Sequence, residues 1–290
     1  MEICHEFNFL KNRKYLWNSF KQINSMKNPQ IFFKKVKDIG IDIPEWFVKA
    51  PKHGEYLKKK TISYGGKFVS RFNKKQNFRS DRFTYFQKFI KGETISVQFF
   101  ANPKYINLLS VCSQFENYKE FNLEGIYQKK IDRFLEEKIY SMVGKISKHF
   151  NLVGINSIDF IIPEVKKSEL KLLEINPRPG LSSNLIFNLY RDKIFSESLI
   201  KKKIKKNYIT SIIYSLFTLI INKQFLERIK KINSMEFSEL PILNSFIKKG
   251  DPLCLVHQKL ITSRSVKKNY NYITKILNYE LRASIKNESY

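Results

Sequence analysis

Cysteine is scarce in this chain. Three occur in 290 residues, at Cys4, Cys112 and Cys254, and none sits in a CxxC pair. A set so odd and scattered argues against a disulfide framework and a cysteine-held zinc site, and fits reduced thiols in a cytoplasmic protein. Histidine is nearly as rare, with four. His53, His149 and His257 are isolated, so spacing places no Ser-His-Asp or Cys-His set, and they read as structural or surface residues. Long apolar runs are missing too. The run to weigh, YITSIIYSLFTLII at Tyr208–Ile221, has fourteen residues, against the roughly 20 that a membrane-spanning helix needs. Its β-branched and aromatic content predicts a buried strand. Met1–Leu10 carries Glu2, His5 and Glu6 and no continuous apolar region, so no secretory signal is read there. There is no internal repeat.

Acid is the other shortage: 26 Asp and Glu stand against 53 Lys and Arg, a formal net charge of +27. Such a surface attracts anions, nucleotides among them. The base is overwhelmingly lysine, spread along the whole chain and accompanied by Asn, Ile, Phe and Tyr, a bias that an AT-rich genome would encode. Proteins that read nucleic-acid phosphates cluster arginine and place aromatics for stacking, so nucleic acid is not the expected partner. What the chain does have is core material. Hydrophobic residues make up 42%, enough for one large domain or two to three small ones.

Apolar spacing predicts helices within residues 1–40, with Gly40 as a stop. IDIPEWFVKAP reads as an extended, proline-punctuated segment. EYLKKKTISYGGKFVSRF and FTYFQKFIKGETISVQFFAN read as strands around turns at Gly65-Gly66 and Lys91-Gly92. INLLSVCSQFE is a further strand, Asp132–His149 an amphipathic helix, and GINSIDFII and LKLLEIN two strands joined by PEVKKSE. A helix is expected over Leu181–Tyr190, then the basic run KKKIKK. The apolar strand above, a charged stretch, a strand DPLCLVHQ and a closing helix over about Ser265–Ile285 complete the chain. This mixture predicts an α+β fold with a mainly antiparallel sheet.

Two apolar strands carry acids: Asp159 in SIDFII and Glu174 in LLEIN. A carboxylate there is costly unless it is paired or binds metal. Alternation puts Glu174 and Asn176 on one face. If the strands are neighbours, Asp159, Glu174 and Asn176 converge into an all-oxygen set of the kind magnesium prefers. Arg178 follows, able to reach a phosphate with its fork of donors, on a loop fixed by Pro177, Pro179 and Gly180. A purely structural reading makes this a salt-bridged turn, with Glu174 on a lysine, Asn176 capping and Arg178 exposed. Upstream, KKKTISYGGKFV sets lysines before a Ser-Tyr-Gly-Gly turn, where backbone N–H groups can hold phosphate; an ordinary hairpin turn explains it equally.

In this order, EYLKKKTISYGG, YFQKFIKGETISVQFFA, GINSIDFI and LLEINPRPG resemble an ATP-grasp protein, and EINPRPG after a DF strand is the specific part. The closer resemblance is to the carboligase-like branch that includes tyramine–glutamate ligase, where the YFQ.FI.G turn and the GDPLCLV segment are also similar. It covers the chain from about Asp42 to the end, most densely over Glu55–Asn184. The resemblance implies an ATP-grasp fold of two α+β subdomains. Residues 1–50 would be helices and linker left from a preceding domain, 51–92 the small subdomain with lid and adenine hinge, and 93–290 the large subdomain with a C-terminal extension. It further implies that Lys59 contacts ATP phosphates, with Lys49 of WFVKAP a competing choice farther from Gly65. Gly65 and Gly66 would be the phosphate lid, and Gln87, Lys88, Phe89 and Ile90 the hinge beside adenine. Asp159, Glu174 and Asn176 would hold magnesium, or manganese in its place, and Arg178 would stabilise the transferred phosphoryl group. The implied activity is ADP-forming ligation of a small carboxylic acid to an amine through an acyl-phosphate. Two departures stand out. About 40 residues precede IDIPE, too few for the family's usual leading domain, which leaves three expectations: a separate chain that supplies it, a shortened gene product, or a smaller substrate site. LKKKT also lacks the proline that normally follows the lysine. A non-catalytic subunit that binds ATP beside another chain is therefore the second expectation.

Overall fold

The computed structural model describes residues 17–64, 67–72, 83–117, 121–183, 186, 208–232, 235–259 and 265–286. Two compact units emerge, one drawn from residues 1–113, 117–122 and 129–202, the other from 114–116, 123–128 and 203–290.

The first unit opens with α1 (Phe20–Lys27) and α2 (Pro29–Asp38). Ser19 caps α1 in a reciprocal box with Gln22, and Asn28 caps α2 just ahead of Pro29. Each cap satisfies N–H groups that a helix start leaves without partners. A four-stranded sheet follows from β1 (Trp46–Phe47), β2 (Tyr56–Tyr64), β3 (Lys67–Arg71) and β4 (Thr84–Lys88), in the order β1-β4-β2-β3. Next come β5 (Gly92–Ala101) and β6 (Ile106–Asn117), then β7 (Asn122–Gln128), whose residues 123–128 belong to the second unit. Helix α3 (Arg133–Phe150) starts on Asp132 and ends on Asn151 in the left-handed conformation, and β8 (Gly154–Pro163) and β9 (Lys171–Asn176) follow it. Strands β6, β5, β8 and β9 lie side by side in that order, antiparallel.

Alternation divides this larger sheet into two faces. Ile95, Val97, Phe99, Ile158, Phe160, Leu172 and Ile175 are buried in one core with Phe32, Phe33, Val36, Ile139, Val143 and Ile146 of the helices. The opposite face carries Ser96, Gln98, Ser157, Asp159, Glu174 and Asn176, matched across the strands. The helices thus cover the apolar face, and the polar face is left for chemistry.

The second unit holds β10 (Tyr208–Tyr214), β11 (Leu219–Ile220), α4 (Lys223–Lys230), β12 (Glu236–Ser238), β13 (Phe246–Ile247), β14 (Pro252–Lys259) and α5 (Val266–Lys286). Its main strands run β12-β14-β10-β7, antiparallel, while β11 and β13 pair separately. The core here is Ile213, Phe225, Ile229, Leu253, Val256, Ile273, Leu277 and Leu281.

The α+β class with mainly antiparallel sheets is the observed one. The single strand expected over Tyr208–Ile221 is two, β10 and β11. Ser215 breaks it, its hydroxyl bonding both the carbonyl and the N–H of Phe217, a local alternative to strand pairing. The charged stretch after it contains α4, capped by Asn222. Strand β7 has no counterpart in the sequence reading because Gly125 interrupts its pattern. That glycine is a close approach: a Cβ there would lie 2.3 Å from the carbonyl oxygen of Thr210 on β10. The helix expected over Leu181–Tyr190 falls largely outside the described residues. No helix among the described residues is long and apolar enough to cross a membrane.

Candidate functional site

Strands β8 and β9 are neighbours, and Asp159 lies directly opposite Glu174, with Ser157 opposite Asn176. A bulge follows at once, Phe160 pairing with Leu172, so one extra residue in β9 re-aims the strand beside its acid. The Asn176 amide donates to Glu174 Oε1 at 2.9 Å and reaches Asp159 Oδ2 at 3.5 Å. The three predicted residues therefore converge. As placed, the amide turns its NH2 group toward both carboxylates and offsets their charge. Two carboxylates and one amide oxygen fit a hard divalent ion; ligation by Asn176 Oδ1 requires only that the amide flip. Among the described residues no cluster of three or more His, Cys, Asp or Glu exists that could hold a metal; the set here is two carboxylates and an amide.

Strand β4 brings the second group. Lys59 pairs with Tyr85 and Leu57 with Gln87 across β2 and β4, so all four share one face. Lys59 Nζ donates to Gln87 Oε1 at 2.7 Å. Gln87 is buried, and its Nε2 has no hydrogen-bond partner among the described residues, a donor that a ligand acceptor would satisfy. Tyr85, on the same face, has its hydroxyl pushed to higher pKa by burial and then by the negative charge of Glu174. The Tyr85 ring also packs on Phe33, 6.0 Å between centroids, at the edge of the apolar core. Lys49 lies in the exposed bend after β1, outside this arrangement.

The rest of the predicted hinge divides its work. Lys88 is exposed, its ammonium 3.6 Å from Glu45, and its N–H bonds Glu45 O. The N–H of Phe89 bonds Glu55 O, and its ring lies 4.2 Å from the Arg71 guanidinium. These two N–H groups are thus committed to the protein. Ile90 is half-buried at the turn into β5. Gly65 and Gly66 lie outside the described residues.

Arg178 is exposed, with its N–H bonded to Asn176 O at 2.7 Å and its guanidinium reaching Pro179 O at 3.2 Å. The loop that carries it is held from below. Gln98 donates to Ser183 Oγ at 2.7 Å and accepts from Ser182. Gly180 passes so close to Ser157 that a Cβ would stand 3.1 Å from its hydroxyl oxygen. Sequence reasoning did not select Tyr85, Gln98 or Ser157. The signal was present as polar residues on alternate positions of SVQFF and INSIDF, in register with Asp159. Glu93 sits at the opposite parity, on the side of Ile95; it is 2.8 Å from Lys129 Nζ and accepts a short bond from Ser113.

Residues 27–182, more than half the chain, match the ATP-grasp domain model. The chain belongs to the ATP-grasp family. Its curated relatives include an uncharacterised protein of Methanocaldococcus jannaschii, 25% identical over 83% of this chain and 63% of the relative. The large chain of carbamoyl phosphate synthase from Thermoplasma volcanium is 25% identical over 60% of this chain and 19% of that one. The chain thus spans less than two thirds of either relative. Among solved structures, the L-amino acid ligase of Bacillus licheniformis matches with a TM-score of 0.69 at 11% identity, over 91% of this chain and 73% of that one. The N5-carboxyaminoimidazole ribonucleotide synthetase of Thermotoga maritima gives 0.68 at 14%, over 90% and 74%. At such identities the likeness establishes the ATP-grasp fold.

Proposed function

We propose that this ATP-grasp protein is an ATP- and magnesium-dependent, ADP-forming ligase that joins a small-molecule carboxylic acid to an amine. The observation that carries the reading is the convergence of Asp159, Glu174 and Asn176 on the polar sheet face, and the Lys59–Gln87 pair of the four-stranded sheet supports it. The structurally similar proteins, ligases and synthetases that include ATP- and ADP-bound forms, point the same way.

Bound magnesium would neutralise charge on the β- and γ-phosphate oxygens. Asp159, Glu174 and Asn176 would hold it. Lys59, at the strand leading to Gly65-Gly66, would contact the phosphates, and the backbone from Gln87 to Ile90 would border the adenine. A carboxylate oxygen of the substrate attacks the γ-phosphorus in line, the bond to the β–γ bridging oxygen breaks, and ADP leaves. Arg178 would neutralise charge on the phosphoryl group in transit. The amine then attacks the acyl carbon, loses a proton, and phosphate departs. A lid at Gly65-Gly66 would exclude water from the acyl-phosphate. The assignment to the carboligase-like branch, the subdomain division at about residues 50 and 92, and cytoplasmic residence rest on sequence alone and belong to this reading.

The second reading is a subunit that binds ATP but needs another chain for chemistry. One experiment separates the outcomes. Titration calorimetry with ATP and magnesium should show binding that Glu174→Ala weakens about tenfold or more, roughly 1.4 kcal/mol, and that chelation of magnesium removes. ADP release on addition of carboxylic acids and amines would then establish the ligase. Binding without turnover across such a screen would favour the partner-dependent subunit. A folded wild type that binds no ATP would sink both.

A further inference from the structure

The loop bearing Arg178 is fixed at one end by a side chain that lies 159 positions earlier. Asn18 is 2% exposed, just ahead of α1. Its Nδ2 donates to Asn156 Oδ1 at 2.7 Å, to Pro177 O at 3.1 Å and to Val153 O at 3.2 Å, while its Oδ1 accepts from the Val153 N–H at 3.0 Å. Two hydrogens serve three acceptors, so one is shared. Asn156 is fully buried on β8, three residues before Asp159, and its own amide donates to Val153 O and Gly154 O. Asn18 thus ties the start of β8 to the carbonyl between Asn176 and Arg178.

We infer that Asn18 is a positioning residue for the Asn176–Arg178 loop. The inference rests on the proposed roles of Asn176 and Arg178. Pro177 has no N–H and a fixed φ, so its carbonyl is the one backbone hydrogen-bonding group by which that residue can be gripped. Arg178 turns back at once, bonding Asn176 O through its N–H. Rotating the Pro177 carbonyl therefore swings Asn176 on one side and Arg178 on the other. At the far end the loop is held by Gln98 through Ser182 and Ser183, and Gly180 rests against Ser157. Between these two grips only the Arg178 side chain reaches outward. Buried amide networks of this kind, fully bonded, set geometry sharply. Asn18 is not needed merely to dock its segment, because Gln22 does that separately, donating to Phe150 O at 3.2 Å and Asn151 O at 2.6 Å on the α3–β8 connection.

The test compares magnesium–ATP with magnesium–ADP binding, which isolates contacts to the γ-phosphate. Arg178→Ala is expected to lower the preference for ATP about tenfold. Asn18→Ala should lower it by at least half that factor, and the double variant Asn18→Ala/Arg178→Ala should add nothing beyond Arg178→Ala alone. Asn18→Ser, which leaves a polar group near Val153 and withdraws the donor from Pro177, serves if the alanine variant does not fold. Gln22→Ala should lower the melting temperature and leave the ATP preference unchanged. If the Asn18 variants keep the wild-type preference while Arg178→Ala loses it, or if their effects are fully additive, Asn18 is structural only and the inference is overturned. If Arg178→Ala itself leaves the preference unchanged, the role of Arg178 fails first and takes the inference with it.

Discussion

The single residue whose ionisation the fold controls most plainly is His257. It is buried on β14, with Nδ1 3.0 Å from Thr210 Oγ1 and Nε2 2.7 Å from Ser238 Oγ. Two hydroxyls can bond a neutral imidazole through either tautomer, one donating and one accepting. They supply no negative charge for an imidazolium. Burial lowers its pKa, and the carboxylates of Glu236 and Glu239 oppose that without reversing it. The unfolded chain still takes up a proton near the ordinary value of about 6.5. Below that pH the unfolded state binds more protons than the folded one, so stability falls as pH falls, and above it His257 contributes no slope. Urea midpoints should therefore drop between about pH 7.5 and 5.5, and His257→Gln should flatten the drop. An unchanged slope in the variant would assign it to other groups. The two described cysteines are inert for the same reason of burial. Cys112 and Cys254 thiols are pushed up to about 12, desolvation being the main cause, consistent with the reduced thiols read from composition.

At the scale of elements, the turn between the hinge and β5 is the tightest point near the site. Gly92 faces Pro163 across β5 and β8, and a Cβ on it would stand 2.2 Å from Ile162 O and 3.0 Å from Pro163 Cα. Both obstacles are backbone, so nothing flexible can yield. Gly92→Ala should cost about 2–3 kcal/mol, visible as a lower urea midpoint with unchanged m-value. A neutral result would mean that β5 can shift against β8. This element also shows what the sequence could tell. SIDFII and LLEIN announced themselves because a carboxylate in an apolar strand violates the period-two pattern, and LKKKT narrowed the phosphate lysine to a strand. The resemblance offered Lys59 with Lys49 as a rival farther from Gly65; the bond of Lys59 to Gln87 is a long-range fact that no local pattern carries. Asn18, Gln98 and Ser157 escaped notice for the same reason. Each is an ordinary polar residue locally; Asn18 and Gln98 acquire meaning through partners 84 to 159 positions distant, and Ser157 through Gln98, Asn176 and Gly180. Strand β7 and the break at Ser215 were hidden because one depends on the approach of another backbone and the other on a hydroxyl competing with the ladder.

For the whole molecule the dominant quantity is the net charge of +27. Nine glutamates among the described residues are in ion pairs with lysine or arginine, mostly exposed pairs that add little stability. The cationic surplus is thus distributed over the surface, and the acids of the candidate site are exceptions within it. A diffuse positive field speeds the arrival of any polyanion and is screened over about 10 Å at 0.1 M salt. The short-range contacts proposed for Lys59, Arg178 and the magnesium set are screened far less. The two contributions separate by salt. Association rates for magnesium–ATP should fall steeply between about 50 and 200 mM salt, while its affinity should change less than about tenfold. Retention of duplex DNA, which would use the diffuse field alone, should fall by about 10³ or more over the same range. Stopped-flow mixing and equilibrium titrations at both salts measure this directly. DNA binding that survives 200 mM salt, with no magnesium-dependent ATP binding, would make the charge itself the functional surface and displace the ligase reading. Salt-resistant ATP binding beside salt-sensitive DNA binding would leave the charge as background and the polar sheet face as the working site.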